Sequence, residues 1–263
     1  MEFILVATRN SMSEPLSPAD EIYPDLRPKP PRQGVRARLL WAAATAFSTL
    51  LRLAFNLLYY PLAFTYDAVA WTVSGGEWAD WRRSVFPYLL PGRVLELAHG
   101  TGTLALEMTD RGFTVTAIDL SPAMGKIALR KKRKWGARRA DHESIRLPDP
   151  AAGPVLVRAD VGQLPFQKEF FSSAVSTFPA EFIFNPRTLH EVYRTLRPGG
   201  RWIILPAAYP EWIAGHLLPE SKNPSSRDNL SIFARHLEAA GFSVRTEIIR
   251  RPHSRVMLIQ GEK

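Results

Sequence analysis

Pro91-Gly92-Arg93-Val94-Leu95-Glu96-Leu97-Ala98-His99-Gly100-Thr101-Gly102 is the stretch from which the fold of this 263-residue chain can be inferred. A short apolar run with one acid, Glu96, is bounded by glycines on both sides, which indicates a buried strand that ends in a tight turn. Residues 103–110 then carry apolar side chains at helical spacing, and Gly112 follows as a C-cap. The glycines therefore lie between a strand and a helix.

Gly100, Gly102 and Ala105 fit the pattern G-x-G-x-x-[G/A], in which the backbone approaches a ligand closely at the N-terminus of a helix. The next β-branched run, residues 114–120, contains Asp119 at the distance where dinucleotide-binding folds place an acid on the ribose hydroxyls. These two elements favour a nucleotide-type site. An ordinary βαβ unit with a glycine turn explains them as well.

Four short motifs follow one another along the chain. They are Glu96-Leu97-Ala98-His99-Gly100-Thr101-Gly102, Ala117-Ile118-Asp119-Leu120-Ser121-Pro122-Ala123-Met124, Asp160-Val161-Gly162-Gln163-Leu164-Pro165-Phe166 and Leu196-Arg197-Pro198-Gly199-Gly200. In order and approximate spacing, the chain from Tyr66 onward resembles the class I S-adenosylmethionine-dependent methyltransferases, in particular the branch of the ubiquinone and menaquinone biosynthesis enzymes. The resemblance implies a Rossmann-like, doubly wound α/β fold with a seven-stranded sheet, its last strand antiparallel, and an N-terminal helical extension.

The resemblance also implies S-adenosylmethionine as the cofactor. By family position, Glu96 holds the methionine amino end through the glycine turn, Asp119 the ribose and Asp160 the adenine amino group. The predicted cofactor-binding set is Glu96, Ala98, His99, Gly100, Gly102, Asp119, Leu120, Met124, Asp160, Val161 and Phe178. For Asp160 taken alone, a helix or turn cap is an equally good interpretation.

Two positions depart from the family pattern E-x-G-x-G-x-G. Ala98 stands at the first glycine, and His99 stands where cysteine is common. A methyl group at residue 98 is tolerated where φ stays negative, so we expect the departure to affect cofactor affinity more than the fold. His99 could serve as a general base, although its family position implies a cofactor contact.

The acceptor is predicted to lie beyond the carboxyl end of the fourth strand, residues 170–178, because ligands bind there in open α/β sheets. Phe178, Glu181 and Phe182 follow that strand. Tyr66 joins them by family position, in a segment that closes over cofactor and substrate. The tryptophans of the same segment, Trp71, Trp78 and Trp81, are interpreted as core.

Composition limits the chemistry. The chain has no cysteine, which excludes disulfides, thiolate metal sites and cysteine nucleophiles, and its six histidines show no metal-ligand spacing. The net charge is +9, and residues 130–139 hold seven basic side chains and no acid. Such a patch binds phosphates of nucleic acid or anionic lipid, or is a solvated surface.

The chain divides into a flexible, proline-rich arm (1–34), a helical extension (35–90) and a methyltransferase domain (91–263) with a basic insertion around 130–154. Residues 35–60 predict a helix with one narrow polar stripe. Arg52 near its middle would cost about 2.5–3.5 kcal/mol in a bilayer. An in-plane helix at a membrane interface, or a helix packed on the domain, is therefore favoured over a membrane span.

Together these features predict a methyltransferase that acts on a small, lipophilic acceptor by direct methyl displacement, with no catalytic residue assigned and no metal. The predicted location is cytoplasmic, with peripheral membrane contact through residues 36–64 and 130–139. A non-catalytic cofactor-binding protein of the same fold, or a nucleic-acid methyltransferase, is the alternative. A nicotinamide oxidoreductase would also use the glycine pattern with Asp119, but it leaves the third and fourth motifs unexplained.

Overall fold

The computed structural model describes residues 65–140, 153–211 and 233–263. The predicted arm (1–34) and the helix predicted over residues 35–60 lie outside the described residues, as do residues 141–152 and 212–232. The side chains of Tyr66 and Glu181 also lie outside the described part, so their predicted roles rest on the sequence.

One twisted sheet forms the centre of the described structure. Its strands are β1 (Arg93–Leu97), β2 (Thr114–Asp119), β3 (Val155–Arg158), β4 (Phe171–Thr177), β5 (Leu196–Leu205), β6 (Ala208–Pro210), β7 (Ser243–Arg250) and β8 (Ser254–Glu262). Their order is β3-β2-β1-β4-β5-β8, with β7 on the far side of β8. β1 to β5 are parallel to their neighbours, and β8 is antiparallel to both β5 and β7. The predicted antiparallel last strand is confirmed.

The short strand β6 was not predicted from the sequence. It pairs with β8 at residues 254–256, beyond the part of β8 that pairs with β5. β6 therefore extends the edge of β5, and the seven-stranded order that the family resemblance implies is preserved with one added short strand.

Helices cover the sheet and begin near its carboxyl edge. They are α1 (Tyr66–Val73), α2 (Trp78–Arg83), α3 (Thr103–Asp110), α4 (Pro122–Ala140), α5 (Pro186–Thr195) and α6 (residues 233–239), with 3₁₀ turns at Phe86–Tyr88 and Glu181–Phe184. α5 begins after Asn185, whose side-chain oxygen accepts a hydrogen bond from the backbone N–H of Arg187 at 2.9 Å. This N-cap replaces one of the bonds that a helix start lacks.

The second helix of the sheet domain is longer than predicted. The sequence predicts a helix over residues 124–134 and then a basic insertion, whereas α4 continues to Ala140. The first eleven residues of the insertion, 130–140, are therefore helical. Lys and Arg are good helix formers, and no proline interrupts them before Pro148.

Proline followed by two glycines predicts a turn at Arg197-Pro198-Gly199-Gly200, ahead of a strand, but the segment belongs to β5. The C-terminal residue explains the difference. Gly199 donates its N–H to the carbonyl of Lys263 at 2.9 Å, and Lys263 donates to the carbonyl of Gly200 at 3.0 Å. The ladder with the end of the chain thus continues through the glycines, with an irregular register against β4.

The two faces of β1 pack into two cores. Leu95 and Leu97 contact the cluster that contains Trp202, while Val94 contacts the cluster with Met108. These side chains are almost completely buried, and each contributes about 1.5–3 kcal/mol on transfer out of water. β1 is therefore held on both faces, as a central parallel strand requires.

The tryptophans of the N-terminal segment differ from one another. Trp81 is 3% exposed and donates its indole N–H to Ser254 Oγ at 2.8 Å, so the prediction that it belongs to the core is confirmed. Trp71 is 64% exposed, and the same prediction is wrong for it. The difference arises from tertiary packing: α2 packs on the sheet through Trp81, whereas the face of α1 that carries Trp71 is exposed.

Candidate functional site

The turn after β1 is built from left-handed residues. Ala98, Gly100 and Gly102 have φ values of 55°, 54° and 73°. The expectation that φ stays negative at Ala98 is wrong. An L-residue in this conformation is destabilised by about 1–2 kcal/mol, because Cβ approaches the following carbonyl. The course of the chain from β1 into α3 imposes this conformation on the alanine.

Gly100 and Gly102 are required for different reasons. A methyl group on Gly102 would lie 2.7 Å from Cβ of Ala128 in α4, whereas one on Gly100 would meet no described atom within 4 Å. Gly102 therefore permits close packing of the turn on α4. Gly100 leaves the backbone open on its other side, as the predicted ligand-binding turn requires.

Asp119 ties the turn to β2. Its Oδ2 accepts a hydrogen bond from the backbone N–H of Gly100 at 2.8 Å, and its Oδ1 accepts one from that of Ser121 at 2.8 Å. His99 strengthens the same link, because its N–H donates to the carbonyl of Ile118 at 3.0 Å. Each carboxylate oxygen keeps a second lone pair. The ribose role of Asp119 stays a prediction, and its structural role is an addition to it.

Glu96 is a buried carboxyl group at the end of β1. It is 3% exposed, and its Oε2 has no hydrogen-bond partner among the described residues. Burial is the largest cause that raises the pKa of Glu96 to about 8; nearby Asp119 and Glu107 add to the rise, and the charge of Arg82 opposes it. Near neutral pH the group is therefore mostly protonated. A buried polar atom without a partner is one that a ligand or water can satisfy.

His99 lies inside the turn and is 6% exposed. Its Nδ1 is 2.8 Å from the carbonyl oxygen of Gly100. Because a carbonyl only accepts, Nδ1 carries the hydrogen and Nε2 is left as an acceptor. Burial lowers the pKa of His99, against the opposing effect of Asp119, so the ring is neutral at physiological pH.

The predicted adenine end lies at the next strands. Asp160 is exposed, and its Oδ1 accepts a hydrogen bond from the N–H of Gly162 at 2.8 Å, so the alternative interpretation as a turn cap is observed. Leu120 is 57% exposed and free to contact a flat apolar ligand. Met124 is completely buried, which gives no support to its predicted cofactor contact. Val161 is half-buried against the core.

Aromatic rings meet at the carboxyl end of β4. Phe178 has a φ of 50°, and its ring stacks on Trp78 of α2 with 4.1 Å between centroids and 20° between planes. Its N–H donates to the carbonyl of Leu205 at 2.7 Å, which fixes the unusual backbone. Such conformations persist where the surrounding structure determines them, often at functional sites. Phe182 lies nearby in sequence and packs partly against the core.

A polar network beside the turn was not predicted from the sequence. Lys131 Nζ of α4 lies 2.9 Å from Thr101 Oγ1 and 2.7 Å from Thr103 Oγ1, and it forms an ion pair with Asp67 of α1. Thr101 Oγ1 also donates to Asp67 Oδ1 at 2.9 Å. The sequence placed Lys131 in an exposed basic patch, and no local pattern distinguishes it from its neighbours.

Five other basic side chains of α4 follow one exposed face. They are Lys126, Arg130, Arg133, Lys134 and Arg138. Their spacing of i, i+4, i+7, i+8 and i+12 places them along one side of the helix, and α4 contains no acid. The predicted basic patch is thus a stripe on a helix surface.

The described residues contain neither a candidate metal site nor a candidate membrane span. Within residues 65–140, 153–211 and 233–263, no group of histidine and acidic side chains could hold a metal ion. None of the helices in these same segments combines the length and the apolar character needed to cross a bilayer.

Known proteins are similar to this chain over the site just described. Residues 95–204 match the family model described as a methyltransferase domain. A demethylmenaquinone methyltransferase of Thermus thermophilus is 32% identical over 154 residues, 56% of this chain and 63% of that protein. The demethylmenaquinone methyltransferase of Symbiobacterium thermophilum is 31% identical over 166 residues, 58% of this chain and 59% of that protein. The chain thus spans about three fifths of the length of these relatives.

The fold comparison agrees with the sequence comparison. A crystal structure from Methanococcus maripaludis, described as an S-adenosyl-L-methionine-dependent methyltransferase, has a TM-score of 0.51 at 20% identity. The match covers 75% of the chain described here and 90% of the chain in that crystal structure. At this identity the likeness establishes the fold. The predicted family resemblance and the predicted Rossmann-like fold are both confirmed.

Proposed function

We infer, from the match of residues 95–204 to the methyltransferase-domain family model, that this chain is an S-adenosylmethionine-dependent methyltransferase acting on a small, lipophilic acceptor. The observation that carries the proposal is the turn after β1. There Gly100 leaves open space, Oε2 of Glu96 is buried without a hydrogen-bond partner among the described residues, and Asp119 at the end of β2 accepts a hydrogen bond from Gly100.

These residues fit the proposed cofactor. Gly100 leaves room beside the backbone, and the orphan Oε2 of Glu96 is an acceptor for the amino end of the cofactor. Asp119 anchors the turn and keeps lone pairs for a ribose hydroxyl, while Leu120 offers an exposed apolar surface for the base. Glu96, Gly100 and Asp119 would therefore hold the cofactor.

When bound, S-adenosylmethionine supplies a methyl carbon that is already electrophilic, so one displacement completes the transfer. The chain then has to bind and align the acceptor, and alignment alone supplies much of the rate. Phe178 and Trp78 are suited to this role, because their stacked rings form a rigid apolar wall at the end of β4. His99 is held neutral by burial, and no proton transfer is assigned to it.

The acceptor is proposed to be a quinone-type ring compound. Two observations support this class: the relatives are named for demethylmenaquinone, and the site edge carries the aromatic rings of Phe178 and Trp78. A carbon acceptor activated by its own ring hydroxyl needs little help from a protein base.

A lipophilic acceptor makes contact with a membrane surface part of the proposal. The exposed basic face of α4, from Lys126 to Arg138, suits anionic headgroups, and exposed Trp71 on α1 suits the interfacial region. Residues 36–64, proposed to join this contact, lie outside the described residues. A cytoplasmic location with peripheral membrane association follows from this proposal.

The non-catalytic alternative keeps one specific support. Ala98 occupies a left-handed position where the family has glycine, and this strain would persist in a domain that no longer needs a precise turn. A nucleic-acid substrate is disfavoured relative to a lipophilic one, because the basic face of α4 is the feature that suggests it and a membrane explains that face equally well.

Calorimetric titration with S-adenosylmethionine tests the proposal, with NADH as the control ligand. We expect micromolar binding of S-adenosylmethionine, none of NADH, and weakened binding in Asp119→Ala but not in Glu238→Gln, which alters an exposed acid on α6. Transfer of a labelled methyl group to a demethylmenaquinone analogue then tests catalysis. Absence of cofactor binding would overturn the proposal, and binding without transfer would favour the non-catalytic alternative.

A further inference from the structure

We propose that Lys131 is a positioning residue that fastens α1 to the glycine turn and thereby sets the affinity for the cofactor. The proposal rests on the proposed function for its effect on the cofactor, although the contact itself does not. We call the four side chains Asp67, Thr101, Thr103 and Lys131 the latch. They belong to three different parts of the fold: α1, the turn with the first residue of α3, and α4.

The latch connects all of its members. Lys131 Nζ donates to the hydroxyls of Thr101 and Thr103 at 2.9 and 2.7 Å, and to the carboxylate of Asp67. The other carboxylate oxygen of Asp67 accepts a hydrogen bond from Thr101 at 2.9 Å. The ammonium group thus uses three hydrogen-bond donors on three different side chains. A point cation with rotatable donors is suited to such a junction.

The turn needs restraints of this kind, because three of its residues between 98 and 102 are left-handed. Asp119 restrains the backbone at Gly100, and α4 restrains it at Gly102. Thr101 lies between these two glycines and is 5% exposed. The latch restrains this middle residue through its side chain, so all three central positions of the turn are held.

The same contact determines where α1 lies. Asp67 is the second residue of α1 and follows Tyr66, the residue predicted to line the pocket. Pairing of Asp67 with Lys131 places this end of α1 beside the turn. A change at residue 131 in α4 is therefore expected to alter both the turn and the position of α1.

Half-exposed ion pairs contribute little to overall stability, and the side chains of Lys131 and Asp67 are 28% and 46% exposed. The latch should therefore matter locally more than globally. This separates it from a purely structural role, in which loss of the pair would lower the melting temperature and leave the affinity of the folded protein unchanged.

A double-mutant cycle tests the latch in the full-length chain. We expect Lys131→Met and Asp67→Asn each to raise the Kd and the KM for S-adenosylmethionine about tenfold, with kcat at saturation and the melting temperature near wild type. The double variant should be no worse than either single variant, because both remove the same contact. Lys131→Arg should restore most of the affinity.

Lys134→Met is the matched control, since it removes an exposed lysine from the same helix. It should leave the Kd unchanged. Additive effects of the two latch variants, or a wild-type Kd in Lys131→Met, would overturn the proposal.

Hydrogen exchange without any ligand separates this proposal from the proposed function. Lys131→Met should exchange faster than wild type at residues 66–73 and 98–104, with other strands unchanged. If wild-type protein fails to bind S-adenosylmethionine, the proposed function fails while this exchange result still decides whether the latch exists. Unchanged exchange in both segments would overturn the proposal for Lys131, whether or not the protein binds S-adenosylmethionine.

Discussion

The two glycines of the turn have similar backbones and opposite surroundings. Gly100 and Gly102 both have φ values between 50° and 75°, but Gly102 packs against Ala128 and Gly100 faces open space. The difference shows that Gly102 is needed for the packing of the turn on α4, whereas the space beside Gly100 is left for the proposed ligand. Predictions at these positions, at Glu96 and at Ala98 can separate stability from binding.

The largest effect is expected on the packed side. Gly102→Ala should lower the free energy of unfolding by about 4 kcal/mol, because overpacking against α4 adds to an unfavourable φ. Urea unfolding measures this. The double variant Gly102→Ala with Ala128→Gly should recover the part of the free energy of unfolding that is lost to overpacking. The part that is lost to the unfavourable φ at residue 102 should remain. Wild-type stability in Gly102→Ala would show that the two sides of the turn do not differ as described.

A second effect concerns Glu96, which lies just before the turn. Its pKa rises from 4.5 in the unfolded chain to about 8 in the fold, so the folded state keeps a proton that the unfolded state loses. The stability that this proton preserves is complete below about pH 4.5 and is lost as the pH rises toward 8. We expect a loss of about 4 kcal/mol across this window, since the pKa differs by 3.5 units and one unit is about 1.4 kcal/mol.

Glu96→Gln is the control for this pH dependence, because it keeps the shape and cannot ionise. Its stability should vary less between pH 4.5 and 8 than that of the wild type, as measured by urea unfolding at several pH values. Parallel curves for the two proteins would mean that the carboxyl of Glu96 is ionised in the fold.

A smaller effect on stability is expected on the open side. Gly100→Ala should cost about 1 kcal/mol, since strain at φ 54° is partly offset by lower entropy of the unfolded chain. Its Kd for S-adenosylmethionine should nevertheless rise at least tenfold, because the methyl group enters the space beside the turn. A variant that loses stability but keeps its affinity would place the ligand elsewhere.

The smallest effect is expected at Ala98. Ala98→Gly removes strain at φ 55° but gains entropy in the unfolded chain, so the free energy of unfolding should change by less than about 1 kcal/mol. Restoring the family glycine should lower the Kd for S-adenosylmethionine if Ala98 weakens binding. An unchanged Kd would mean that the turn has adapted to alanine.

Local sequence was sufficient for the strand–turn–helix frame. The β1–α3 unit and the acid at the end of β2 were predicted, because side-chain periodicity and glycine placement act over a few residues. The antiparallel last strand was predicted from the family resemblance and not from local pattern. The predicted motifs also lie at one edge of the sheet, since carboxyl ends of parallel strands share an edge. β6 and the strand role of Gly199 were missed, because both depend on pairing with the distant C-terminal strand.

The sequence by itself determined which backbone could form the site, through the glycines, the β-branched runs and the order of the motifs. Only the tertiary structure decided what surrounds each residue. Lys131 lies in a run of basic residues, but its partner Asp67 is 64 residues away along the chain. Burial in the assembled fold leaves Glu96 mostly protonated, and its Oε2 has no hydrogen-bond partner among the described residues. Desolvation and long-range pairing depend on the packing of distant segments, whereas turns and periodicity depend on neighbours along the chain.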